Sequence, residues 1–223
     1  DEFNEEIDFL GARLNFSSQG AYAQSLSKYF PRMMELMADA AIYPNFTQEE
    51  FDKEKDKLLT GLKAEENVVS AVSARVQRAL AYSKNHPYGE FATQKTVENI
   101  KLSDVESFYR DYFVPANAYL IVIGDVTPDE VKTLTETYFT SWTKAVPPSF
   151  TYSEPKNVPN TQINLIDMPN AVQSEITVQN LVNLKMKDDD FIAALLANQI
   201  LGGGSDSRLN LNLREDKGYT YGA

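Results

Sequence analysis

Residues 201–222 read Leu-Gly-Gly-Gly-Ser-Asp-Ser-Arg-Leu-Asn-Leu-Asn-Leu-Arg-Glu-Asp-Lys-Gly-Tyr-Thr-Tyr-Gly. The apolar run before them predicts a helix over about 190–201, which Gly202–Gly204 brings to an end. A phosphate-binding loop would need a lysine and a Ser or Thr after the glycines, and a strand before them. This run follows a helix and has no lysine nearby, so the glycines read as a helix end and turn. A second helix is expected over about 206–216, and then a strand from Tyr219. Arg214 ends that helix and Tyr221 lies seven residues on. This spacing could bring a guanidinium and a phenol to one point, suited to holding a peptide carbonyl or an oxyanion. It equally fits an arginine placed at the favourable, negative end of a helix dipole.

Working outward, the segments 162–167 and 172–181 alternate as half-buried strands do. Val172, Ile176 and Val178 face opposite to Gln173, Glu175, Thr177 and Gln179. Before them, residues 144–159 hold Pro147, Pro148, Pro155 and Pro159, which reads as a linker. Ala118–Gly124 is an unbroken apolar run closed by glycine, the pattern of a strand covered on both faces. Three capping boxes mark helix starts at Thr47–Glu50, Ser103–Glu106 and Thr127–Glu130, where a hydroxyl satisfies N–H groups of the first turn. Apolar stripes predict helices through Phe30, Met33, Met34, Met37 and Ala41, and through Phe51, Leu58, Leu59 and Leu62. A third runs through Val72, Val76, Ala79 and Leu80. Residues 12–18 and 21–28 flank Gln19-Gly20 and read as a hairpin.

Order and pattern together predict an α+β protein of two related subdomains, each an antiparallel sheet backed by helices. The expected boundaries are residues 1–145 for the first, 146–159 for the linker and 160–223 for the second. Both ends read as cut from a longer protein, with Phe3, Ile7 and Leu10 already at helical spacing.

Composition narrows the chemistry. With 21 basic and 32 acidic residues the net charge is −11, and no basic stripe offsets it, so nucleic acid is excluded as a partner. The absence of cysteine removes disulfides, thiolate catalysis and cysteine-held zinc. No apolar run approaches the roughly 20 residues of a membrane span. The first eight residues carry five acids, unlike the basic start of a secretory signal. His86 is the sole histidine and sits in the turn-like Asn85-His-Pro-Tyr-Gly89, where a structural role is expected. The carboxylates of 49–56 alternate with Lys53, Lys55 and Lys57, as on a solvated helix face.

The stretch 209–222 resembles the insulinase/pitrilysin family of zinc peptidases, whose signature is a helix ending Leu-Arg followed by a strand with Tyr seven residues on. Further segments agree in order: Phe9-Leu-Gly-Ala-Arg-Leu-Asn15, Pro44-Asn-Phe46 with Phe51-Asp-Lys-Glu-Lys-Asp56, His86-Pro-Tyr-Gly89, and Asn117-Ala-Tyr-Leu-Ile-Val-Ile-Gly-Asp125. The resemblance implies the processing-peptidase fold, peptide substrates, and two homologous halves closing as a clamshell. Zinc lies in one half of such enzymes, and an Arg/Tyr pair comes from the other. It also implies that zinc is held by an inverted His-x-x-Glu-His, which would precede Asp1, and by a glutamate seven residues after the one matching Glu54. That position is Gly61. Glu65, one turn on, would be about 6 Å away along the axis, beyond what a Zn–O bond of about 2.1 Å tolerates.

The resemblance therefore implies a chain without its own metal or catalytic residues, with Arg214 and Tyr221 as substrate-binding residues. It would be a substrate-clamping half that partners a homologous zinc-bearing half or subunit. The alternatives are a fragment of a self-sufficient zinc peptidase and a purely structural subunit like the core proteins of the bc1 complex.

Overall fold

The computed structural model describes residues 2–223. Its elements follow the order α1 (Glu2–Phe9), β1 (Arg13–Ser17), β2 (Gly20–Gln24), α2 (Phe30–Ile42), α3 (Gln48–Glu65), α4 (Val69–Tyr82), α5 (Gln94–Asn99), α6 (Leu102–Tyr112), α7 (Pro128–Phe139), α8 (Phe191–Gly202) and α9 (Arg208–Asn210). A wider π-helical stretch, Leu211–Asp216, continues α9. Two compact units emerge. The first comprises Asp1–Val76, Glu90–Ser153 and Met168–Glu175, and the second comprises Gln77–Gly89, Glu154–Asp167 and Ile176–Ala223.

In the first unit β1 and β2 pair antiparallel, with Arg13 opposite Gln24 and Ser17 opposite Gly20. The two-residue turn is therefore Ser18-Gln19, one residue earlier than the sequence suggested. Ser17 Oγ holds it, accepting from the Gln19 N–H at 3.2 Å and donating to the Gly20 carbonyl at 3.3 Å. Ile7 and Leu10 of the first helix region meet Met33 and Leu36 of α2, and Phe3, Leu14 and Ala23 pack around them. Above this core Arg32 reaches Glu6 with two parallel bonds of 2.6 and 2.7 Å, tying α1 to α2. That bidentate geometry holds the Glu6 carboxyl below its ordinary range and raises Arg32, which also pairs with Glu35.

Helix α2 also packs on α7, and α3 packs on α5. Lys55 on α3 donates to the carbonyls of Glu98 and Ile100, both at 2.8 Å, supplying partners that the end of α5 lacks. An aromatic chain runs through Phe46, Tyr109, Phe113 and Trp142, with the Tyr109 and Phe113 rings stacked at 4.5 Å. The Tyr109 hydroxyl donates to the Ala41 carbonyl at 2.6 Å, and burial pushes its pKa up to about 12.

The Thr47 and Thr127 caps form as the sequence predicts, accepting from the N–H groups of Glu50 and Glu130. The third start differs. Helix α6 begins at Leu102, and the Asp104 carboxylate accepts from the Lys101 N–H at 2.8 Å. Asp104 is two residues earlier than Glu106, the glutamate expected to serve that end, and its carboxylate reaches back to the cap.

The strand expected at 118–124 does not form and joins no ladder. Tyr119, Ile121 and Ile123 lie open to solvent. Segments 162–167, 172–181 and 219–223 likewise form no strand. Among the described residues the paired sheet is thus the β1–β2 hairpin, set in a largely helical α+β chain. Periodicity reads which face of an extended segment is apolar, but a ladder also needs a neighbouring backbone at about 4.8 Å. From residue 143 to residue 190 no helix or paired strand forms, so the irregular stretch is longer than the proline cluster alone.

Candidate functional site

Arg214 sits inside the π-helical stretch that extends α9, a feature that periodicity did not disclose. The local cause lies just beyond it. Gly218 adopts φ +62° and its N–H donates to the Arg214 carbonyl at 3.0 Å, while the Tyr219 N–H donates to the Leu213 carbonyl at 2.8 Å. This nested pair spans one residue more than a Schellman closure, the extra residue being the one the wider helix accommodates. Only glycine takes that backbone region without strain, so the Lys217-Gly218 step fixes where the helix stops and how the chain leaves toward Tyr221. π-helical turns of this kind occur disproportionately at functional sites.

The Arg214 guanidinium is half exposed and lies 3.5 Å from the Glu215 carboxylate. Tyr221 is 88% exposed. No hydrogen bond joins the two among the described residues. The start of the same helix is anchored by Ser207, which is buried and whose Oγ accepts from the Asn210 N–H at 3.3 Å.

The glycine run also resolves into a helix end. The Gln199 side chain donates to the Gly203 carbonyl at 2.9 Å, capping α8. A shallow cavity of about 390 Å³ opens beside it, lined by Leu195, Gln199, Gly202, Gly203 and Leu209 among others. No cationic side chain lines it, which fits the reading of a turn rather than a phosphate cradle.

The resemblance places zinc in the partner half, and this chain's own described residues offer it no site. Gly61 lies inside α3, and a β-carbon built there meets open space. Glu65, one turn on, pairs with Arg75 of α4. His86 is 5% exposed and its Nδ1 accepts from the Tyr88 N–H at 3.1 Å. Its ring stacks on Tyr82 with centroids 5.3 Å apart and lies 5.4 Å from that of Tyr88. The chain folds this tightly because a β-carbon on Gly89 would fall 1.9 Å from the Ser83 carbonyl oxygen, where nothing larger than glycine fits. His86 therefore shapes a turn. No group of three or more His, Asp or Glu among the described residues is spaced to hold a metal ion. The residues present do not fit zinc.

No helix among the described residues is long and apolar enough to cross a membrane.

The chain is 24% identical over 226 residues to YmxG, an uncharacterised zinc protease of Bacillus subtilis strain 168, covering 99% of this chain and 54% of that protein. It is also 24% identical over 230 residues to an uncharacterised zinc protease of Rickettsia bellii, covering 97% and 53%. The chain thus spans about half the length of the curated relatives it matches. Among solved structures, a peptidase M16 inactive domain from Pseudomonas fluorescens superposes with a TM-score of 0.76 at 20% identity, covering 99% of this chain and 54% of that one. A protease from Helicobacter pylori superposes with a TM-score of 0.75 at 20% identity, covering 100% and 55%. These likenesses show the α+β fold. Residues 1–89 match the sequence profile of insulinase (peptidase family M16), and residues 99–223 match that of the peptidase M16 inactive domain. With both profiles matched in order and the larger covering more than half the residues, the chain belongs to peptidase family M16.

Proposed function

We propose that this chain is a non-catalytic, substrate-clamping half of an M16 zinc peptidase, acting on peptides together with a homologous zinc-bearing half. The observation that carries this reading is Gly61. It stands on a solvent-facing turn of α3 where a family enzyme has a ligand glutamate, and the nearest replacement, Glu65, is engaged by Arg75.

In this reading Arg214 and Tyr221 bind substrate. Each would direct a donor to the carbonyl oxygen of a bound peptide, the guanidinium by charge and the phenol through its O–H. The Glu215 contact of Arg214 is exposed, and exposed pairs contribute about 0–1 kcal/mol, so the guanidinium can leave it for a substrate oxygen at little cost. Residues 1–145 and 160–223, joined by 146–159, would form the two related subdomains of the half.

The test is an assay of the purified chain alone and mixed with a zinc-bearing homologous half, with metal content measured after dialysis. The expected outcome is no stoichiometric zinc and no cleavage alone, and peptide cleavage on mixing. One tightly held zinc per chain would overturn the assignment.

A further inference from the structure

Arg214 is balanced but not clasped. Its Nε lies 3.5 Å from the Glu215 carboxylate, an ion pair without a hydrogen bond, and both side chains are about half exposed. Arg32 shows the contrast, gripping Glu6 through two bonds of 2.6 and 2.7 Å and pairing with Glu35 as well. Glu215 makes no other ion pair among the described residues. The next two residues, Asp216 and Lys217, carry one charge each and cancel. Glu215 thus offsets the charge of Arg214 while that contact leaves the guanidinium's N–H donors unused.

The combination has a chemical consequence where peptides are cleaved. A peptide carbonyl is neutral and asks of Arg214 only a donor. Hydrolysis changes it. The oxygen of water bonds to the carbonyl carbon, the C–N bond breaks, the leaving nitrogen takes up a proton, and a carboxylate with a full negative charge remains. An uncompensated guanidinium would hold that carboxylate through two parallel charge-assisted bonds, each about twice as strong as a neutral one. The product would then stay where the next substrate must enter. Glu215 opposes this. Being the next residue in the chain, it stays within the Debye length of about 10 Å even when the guanidinium swings away from it. Two unit negative charges about 6 Å apart, at an effective dielectric of about 40–80, weaken carboxylate binding about 3–10-fold. The neutral carbonyl feels little of it.

We infer that Glu215 is a specificity-determining residue, which sets Arg214 to take an internal peptide carbonyl and to give up the carboxylate that cleavage leaves. The presence of a peptide at Arg214 rests on the clamp reading above. The discrimination rests on the Arg214–Glu215 pair.

The test titrates the chain with acetylated pentaalanine, as the free acid and as the C-terminal amide. Binding is followed at the Arg214 Nε–H signal in NMR spectra, assigned by its absence from Arg214→Ala. In Glu215→Gln the acid-to-amide affinity ratio should rise about 3–10-fold over the parent. Glu215→Asp keeps the charge and should keep the parental ratio. The rise should shrink in about 0.5 M salt. An unchanged ratio in Glu215→Gln would overturn the inference, as would the same rise in Glu215→Asp, or no response to either peptide. In enzyme reconstituted with a zinc-bearing homologous half, the N-terminal cleavage product should inhibit Glu215→Gln about 3–10 times more strongly than the parent. Cleavage that depends on Arg214, with a ratio indifferent to Glu215, rejects this inference and leaves the clamp reading standing. A ratio that shifts as expected, without cleavage on mixing the two halves, does the reverse.

Discussion

Glu65 on α3 is held by Arg75 on α4, so the carboxylate nearest Gly61 is committed to joining two helices. The pairing separates two roles that a glutamate at this end of α3 could serve. Gly61 itself is unconstrained, because a β-carbon there meets open space and the site is helix interior. Gly61→Ala should therefore stabilise the protein by about 0.5–1 kcal/mol, measured by urea unfolding. Gly61→Glu should restore the carboxylate without conferring stoichiometric zinc on the chain, because His86 stays committed to its turn. Zinc retained by Gly61→Glu after dialysis would show ligands that the geometry does not.

Gly218 makes the opposite case. Its φ of +62° closes the widened helix end on the Arg214 carbonyl. Gly218→Ala should cost about 1–2 kcal/mol, the strain of an L residue in the left-handed region. The same substitution should lower substrate affinity in the assembled enzyme, since it redirects the chain between Arg214 and Tyr221. A variant as stable as the parent in thermal melts would remove the glycine's role.

The bidentate pair of Glu6 and Arg32 predicts a pH dependence with a definite sign. The guanidinium's hydrogen bonds lower the Glu6 carboxyl from the ordinary value of about 4.5. A depressed folded-state pKa contributes stability above the unfolded value and loses it as pH falls through the folded value. Parent and Glu6→Gln should thus differ in melting temperature at pH 6–7 and converge as the pH drops below about 4. The difference should also shrink in high salt, because both side chains are partly exposed. A gap that persists at acid pH would assign the Glu6 effect to packing instead.

Tyr109 gives a test at the alkaline end. Its hydroxyl donates to Ala41 and burial raises its pKa to about 12. The folded state therefore favours the neutral phenol, and that contribution is lost as pH rises from about 10 through 12. Tyr109→Phe should cost about 1 kcal/mol at neutral pH, the usual net value of one hydrogen bond. It should also remove the latest-titrating phenol from the ultraviolet absorbance titration. A phenolate spectrum complete by pH 11 in the parent would contradict the burial of this group.

The sequence disclosed what is encoded locally. Thr47 and Thr127 announce their helices because a hydroxyl and a backbone N–H three residues on are sufficient to form a cap. Met33, Met34 and Ala41 are buried because a 3.6-residue stripe can face only one way. The apolar run 118–124 was legible as apolar but not as unpaired, since ladder partners lie elsewhere in the fold and leave no mark on the run itself. Arg214 and Tyr221 are candidates through the family resemblance of the Leu-Arg and Tyr spacing. The widening of their helix was not legible, because it depends on how Gly218 closes the turn. Gly89 was read only as part of a turn. The approach of the Ser83 carbonyl that requires glycine there is a tertiary contact.

The most direct test of the clamp reading is turnover of a peptide substrate by this chain reconstituted with a zinc-bearing homologous half, comparing the parent with Arg214→Ala and Tyr221→Phe. Both side chains are solvent-facing, so neither substitution should alter the melting temperature of the chain alone. Each should lower turnover by about 10²–10³, the usual cost of removing one oxyanion donor. Cleavage at the parent rate by both variants would contradict the account and leave Arg214 as an ordinary residue at a helix end.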